Sequence, residues 1–254
     1  MIINLKYQKK KNVYFLSIIL VSLVSCKNDD HEIPKNSEIE YLPVKISHPD
    51  YIFNFKYDTE NRLIEIKTVD SEIVSVVTSL TYKGDKLTSV KEKKITPDFE
   101  SNLDYIFSYQ NNKVTAKLTY TDSNGDTENE TDILEIDEKG HLISYDEADA
   151  VYDINGNLNK LINSEEEYKF EYDTKNGIFR NVKTQHWIFI YILNNHYTYK
   201  VNNVVKINYK DLQKNNTFSQ PVSYTYNAAA YPTKIIIVDT ANNSTYTSTI
   251  QYNN

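Results

Sequence analysis

The side chains able to do chemistry in this chain are plentiful but poorly assembled. Five histidines (His31, His48, His141, His186, His196) are scattered. None has a second histidine four residues on, the spacing that sets two metal ligands on one helical face. The run Asp122-Ser123-Asn124-Gly125-Asp126-Thr127-Glu128-Asn129-Glu130-Thr131-Asp132 concentrates the oxygen donors that hard cations take. A calcium loop of the EF-hand type, however, needs glycine at its sixth position, and Gly125 is fourth. Asn124-Gly125 between strand-like flanks reads instead as a hairpin turn. Glycoside hydrolysis needs two acids facing each other, and nothing marks any two carboxylates here as a pair; Glu165-Glu166-Glu167 reads as solvated. There is no phosphate-cradling glycine loop and no Gly-x-Ser-x-Gly elbow among only five glycines. The expectation is a non-enzyme with no cofactor and no metal. Trp187 and Tyr191 are the candidate ligand-binding residues, as stacking platforms for sugar rings; a hydrophobic plug explains them equally well.

Cys26, the only cysteine, is the one nucleophile with a context. A basic start (Lys6, Lys9, Lys10, Lys11) precedes an apolar run over residues 13–24, the layout of a secretory signal. That run is too short for a membrane span, which needs roughly 20 residues. Leu23-Val24-Ser25-Cys26 resembles the bacterial lipobox, which implies acylation of Cys26 and removal of residues 1–25. The acidic stretch after it (Asp29, Asp30, Glu32) reads as a flexible tether over residues 26–48. It also resembles an export signal that carries lipoproteins to the cell exterior in one phylum of glycan-degrading Gram-negative bacteria. The expected address is the outer membrane, lipid-anchored and facing outward, with the periplasmic face as the alternative.

Loss of residues 1–25 removes four lysines and no acid, taking the formal charge from −7 to −11. Such a balance excludes nucleic acid as a partner, because phosphate binding needs clustered cations. Contact with the membrane is then through the lipid alone. Polysaccharide or another envelope protein remain as partners. With the cysteine acylated no disulfide can form, so packing alone must hold a domain over residues 49–254.

The chain repeats an aromatic-x-aromatic-x-Tyr strand, a turn, and an aliphatic strand. Phe53-Asn54-Phe55-Lys56-Tyr57-Asp58 leads through Asn61 to Leu63-Ile64-Glu65-Ile66. Anchors at 57, 82, 109, 136, 152, 172, 199 and 226 are separated by 25, 27, 27, 16, 20, 27 and 27 residues, and Tyr252 closes the series. Alternation puts Phe53, Phe55 and Tyr57 on one face, so each strand is half buried. Asp or Asn after the anchor can bond its own backbone two residues on, and a following Gly or Asn supplies positive φ. Lone hairpins are marginal, so the units must pack side by side.

Tyr57-Asp58, Tyr152-Asp153-Ile154-Asn155-Gly156-Asn157-Leu158 and Tyr172-Asp173 resemble the YD repeat of Rhs-type proteins. The wider spacing, the lipobox and Tyr226-Asn227 with Tyr231-Pro232 are similar to an uncharacterised family of bacterial envelope lipoproteins. That resemblance covers about residues 50–254 and implies a porin-like antiparallel β fold without an assigned activity.

The expectation is therefore an all-β domain of antiparallel hairpins, curled into a barrel-like or solenoid-like single unit. A membrane-spanning barrel is disfavoured, since several strands read as nearer 5–7 residues long and their second face carries Lys and Glu. Residues 181–193 break the pattern, being apolar on every side. They read as a buried strand or a short helix near 184–193 with Thr184 as its N-cap; helix is favoured. The role predicted is a non-catalytic, lipid-anchored binding or scaffold module, with a polysaccharide-handling accessory of an uptake system as the alternative.

Overall fold

The computed structural model describes residues 40–70, 74–193, 201–239 and 244–253. Cys26, His31, His196 and the anchor at Tyr199 lie outside them. The described chain forms sixteen antiparallel strands and one short helix: β1 (Pro43–Ser47), β2 (Tyr51–Tyr57), β3 (Leu63–Asp70), β4 (Ser75–Lys83), β5 (Lys86–Ile95), β6 (Glu100–Gln110), β7 (Lys113–Thr121), β8 (Thr127–Ile136), β9 (Leu142–Tyr145), β10 (Ala148–Tyr152), β11 (Leu158–Ile162), β12 (Glu166–Tyr172), α1 (His186–Tyr191), β13 (Val204–Asp211), β14 (Thr217–Tyr226), β15 (Pro232–Asp239) and β16 (Ser244–Tyr252). Each strand pairs with its sequence neighbours, and β1 pairs with β16, so the meander closes into a barrel. The seam is tied again by Asn253 N–H to Leu42 O, 3.0 Å.

The repeat maps onto one end of this barrel. At the anchor turns the Asp or Asn carboxamide or carboxylate accepts two backbone N–H groups. Asp58 takes those of Glu60 and Arg62, Asp137 those of Lys139 and His141, Asp153 those of Asn155 and Asn157, and Asn227 those of Ala229 and Tyr231. The residue three after each adopts positive φ: Asn61 63°, Gly140 77°, Gly156 90°, Ala230 61°. The register slips by one residue just before Tyr57, Tyr82, Ile136, Tyr152, Tyr172 and Tyr226. Such bulges sharpen twist and bend a strand, which is how a sheet curls far enough to close.

The anchor tyrosines then cap the strand before their own. Tyr82 OH donates to Leu63 O (2.9 Å), Tyr109 to Leu87 O (2.8 Å), Tyr152 to Leu142 O (2.9 Å) and Tyr172 to Leu158 O (2.8 Å). Tyr57 reaches Pro43 O (2.7 Å) and Tyr252 reaches Pro232 O (2.9 Å). In the 226 unit Tyr224 does this job, reaching Val204 O at 2.8 Å, while Tyr226 OH donates to the Asp173 carboxylate. Beneath this girdle Leu63, Leu87, Val114 and Leu158 are fully buried. The rings face inward as alternation requires: Phe55 and Phe170 are buried, and Tyr109 packs against the core.

Three expectations need correction. β1 lies inside the stretch read as a tether, and its pairing with β2 and β16 makes it structural. Strand length varies: β2 and β12 have seven residues and β10 and β11 five, while β4 to β8 run to 9–11. The unit anchored at Tyr172 does not close a tight hairpin; Tyr172 pairs with Val204, thirty-two residues on, and α1 sits in the excursion. Thr184 does not cap α1: the N-cap is Gln185, which makes no side-chain cap bond.

Candidate functional site

The two ends of the barrel differ in chemistry, and the described residues 173–193 decide the difference. His, Trp, Ile, Phe, Ile and Tyr are individually better strand than helix formers. Inside the barrel, however, no described strand pairs with this segment. A helical turn satisfies these backbone groups locally, and burial on all sides holds it there. Every residue of α1 is buried. Trp187 N–H donates to Gly140 O (3.1 Å), Lys183 N–H to Asn61 O (3.0 Å), and Thr184 Oγ1 accepts Leu63 N–H (2.8 Å). The plug is thus stitched to the repeat's own turns.

Trp187 and Tyr191 form no surface platform. Trp187 is 0% exposed, its ring set edge-on to Phe107 at 5.3 Å and its Nε1–H donated to Gln185 Oε1 at 2.8 Å. Tyr191 is 8% exposed and meets Tyr145 at 5.0 Å. Both belong to the plug, because an all-apolar segment inside the sheet has nowhere else to bury its rings.

Beyond the plug the inward rows of the strands turn polar. Counting back by two from buried Leu134 gives Asp132, Glu130 and Glu128, all on the inward row of β8. Asp132 Oδ2 accepts Tyr191 OH (2.7 Å) and Tyr145 OH (2.9 Å). Glu92 sits on the inward row of β5 and accepts a long bond from Thr78 Oγ1 (3.4 Å). Burial pushes its carboxyl above the usual value, against the pull of Thr78 and Lys94. Tyr105 lies among these acids; burial first, then Glu92, Asp132 and Glu130, raise its hydroxyl. Across the lumen Glu166 accepts Tyr168 OH (2.9 Å) and Tyr209 OH (3.1 Å), and burial with Glu166 pushes Tyr209 up to about 12. These phenols stay protonated and donate; the carboxylates they hold act as structural acceptors. A parity count back from Leu134 is the signal in the sequence that would have marked these acids as inward.

The remaining sequence candidates are placed separately. Asp122 forms a hairpin turn through Asn124 and Asp126 N–H, and residues 127–132 are strand rather than a cation loop. His141 bonds Asp137 at 2.7 Å and stacks on Tyr152; His48 stacks on Tyr51. Among the described residues no three His, Cys, Asp or Glu are grouped to hold a metal.

The outward rows are ion-paired across strands: Lys56–Glu65 (2.8 Å), Lys91–Asp104 (3.1 Å), Lys113–Glu135 (2.6 Å) and Lys206–Glu171 (2.9 Å). Each of these pairs joins directly opposed residues.

With this geometry the chain resembles solved porin-like proteins. One from Bacteroides vulgatus ATCC 8482 superposes with a TM-score of 0.44 at 12% identity, covering 84% of this chain and 99% of that one. Another, from Bacteroides uniformis ATCC 8492, gives a TM-score of 0.30 at 13% identity over 83% and 97%. No protein-family model matches the chain, the YD repeat included, and no curated protein matches it.

Proposed function

We propose that this protein is a non-catalytic, lipid-anchored barrel that stands in water at the outer membrane and serves as a binding or scaffold module. The observation that carries the reading is the charged outer wall. A barrel in a bilayer presents an apolar band to lipid, and each Lys or Arg at its midplane costs about 2–4 kcal/mol. Here the outward rows of β2, β3, β5–β8, β12 and β13 carry Lys–carboxylate pairs. Such a wall belongs in water, so attachment falls to Cys26 and its lipid. The closed, plugged end and the tyrosine-held carboxylates support a framework rather than a reaction centre.

The polysaccharide-handling alternative loses its platform, since Trp187 and Tyr191 are interior. The test is labelling with radioactive palmitate in whole cells, combined with external protease. Wild type should take label and be digested from outside, and Cys26→Ala should take none. Label on the Cys26→Ala chain would refute the anchor; protection from external protease would move the barrel to the periplasmic face.

A further inference from the structure

The closed barrel has a step in its wall. β8 pairs with β7 along nearly its whole length, from Lys113↔Glu135 to Thr121↔Thr127. Its other side meets β9 only at Glu135↔Ser144 and Ile136↔Leu142, because the β9–β10 hairpin turns back at residues 146–147. Ile136 N–H points to the β7 side, where it bonds Asn112 O at 2.8 Å. Backbone groups of an antiparallel strand alternate in direction, so those of Thr127, Asn129, Thr131 and Ile133 point away from β7. No described backbone group pairs with them, and residues 127–131 are exposed. This is a bare strand edge of about 20 Å at roughly 3.4 Å per residue.

We infer that this β8 edge, residues 127–133, docks an extended segment of a partner protein with Lys or Arg at alternate positions. A bare edge is a template for a further strand, which gains main-chain hydrogen bonds for affinity and alternate side chains for specificity. The specificity here is written by Glu128 and Glu130, both exposed and on the inward row, Asp132 being held by Tyr191 and Tyr145. Opposite charges facing across strands contribute roughly 0.2–1 kcal/mol per pair, and like charges oppose pairing. A second copy of this chain would set acids against acids. The chain's own residues 27–39 carry four acids against two lysines and a proline, and fit no better. The outward row asks for small or apolar residues at its lower end. Ile133 (58% exposed) and Ile143 (40% exposed) flank a groove of about 590 Å³ there, with Thr115 and Lys113 beside them.

The inference rests on the barrel standing in water, which the anchor and release experiments test separately. The probe is a capped heptapeptide with lysine at its odd and valine at its even positions, titrated onto the full chain in nonionic micelles. Controls are the same composition in block order and a glutamate-for-lysine version. The alternating lysine peptide should bind at least tenfold tighter than either, and should slow amide exchange at Asn129, Thr131 and Ile133. Thr131→Pro removes an outward N–H without touching the β7 ladder and should weaken binding at least tenfold. Glu128→Lys with Glu130→Lys should invert the preference toward the glutamate peptide. Should Thr131→Pro unfold the chain, N-methylation at the peptide's alternate amides serves the same purpose. Equal binding of the block-order peptide, or protection of amides elsewhere, would overturn the inference.

Discussion

Replacing Trp187 by alanine separates a plug from a platform. The side chain is fully buried against Phe107 and Tyr191, and its N–H has a partner in Gln185. A buried indole removes about 150–250 Å² from water, worth about 4–6 kcal/mol at roughly 25 cal/mol per Å². Measured Trp or Phe to Ala losses in cores cluster at about 3–5 kcal/mol, the surroundings relaxing in part. The Gln185 side-chain oxygen Oε1 also loses its donor. The expected loss is therefore about 3–5 kcal/mol, or a fall in Tm of roughly 6–20 °C for a domain of this size. Urea titration followed by circular dichroism measures it, with m unchanged. Trp187 is the chain's only tryptophan, so wild-type fluorescence offers a second reading: blue-shifted emission, scarcely quenched by acrylamide. A loss below about 1 kcal/mol with strong quenching would refute the plug.

Other substitutions probe the repeat and the lumen. Ala230 sits at φ 61°, a conformation that costs a residue with a Cβ, so Ala230→Gly should stabilise by about 0.5–1 kcal/mol in the same titration. Tyr109→Phe strips the Leu87 carbonyl of its donor and should cost about 1–2 kcal/mol; Ile136→Phe, at the anchor that lacks a hydroxyl, breaks no such bond. Glu92 binds its proton more tightly folded than unfolded, so its contribution to stability falls as pH rises from the ordinary carboxyl range through its raised value. Glu92→Gln should therefore raise Tm at pH 7 and lose that advantage toward pH 4. Asp58, Asp137 and Asp153 run the opposite way. Burial would raise them, but turn N–H groups and the side chains of Arg62, His141 and Asn157 outweigh it and hold them below the usual carboxylate value. Their stabilisation is complete above about pH 3.9 and drains as pH falls through the depressed values, where melts of Asp153→Asn and wild type should converge.

The hairpin pitch, the inward rings and the turn chemistry were all legible, because each is written locally. Tyr57-Asp58 and Asp153-Ile154-Asn155-Gly156 specify strand end, bulge, turn and positive φ within six residues. Closure was not legible: nothing within Pro43–Ser47 or Ser244–Tyr252 announces that these strands must find each other across the chain. The lower halves of β5 to β8 were hidden for a different reason. Their inward rows, Glu92 and Glu128, Glu130 and Asp132, face a polar lumen, so the apolar alternation that shows which face of a strand is inside disappears there. Trp187 and Tyr191 were ambiguous because an apolar run cannot say whether its neighbours are solvent or sheet. The stitching bonds from Thr184 and Trp187 to Leu63 and Gly140 join residues up to 121 positions apart.

The account turns on a barrel whose outer wall meets water and whose hold on the membrane is a tether. Limited proteolysis of sealed membranes, cutting within residues 26–39, followed by sedimentation, tests this directly. The folded barrel should leave with the supernatant, its tryptophan emission unchanged. A barrel that stays in the pellet after the tether is cut, and comes away only with detergent, would show strands buried in lipid and contradict the account.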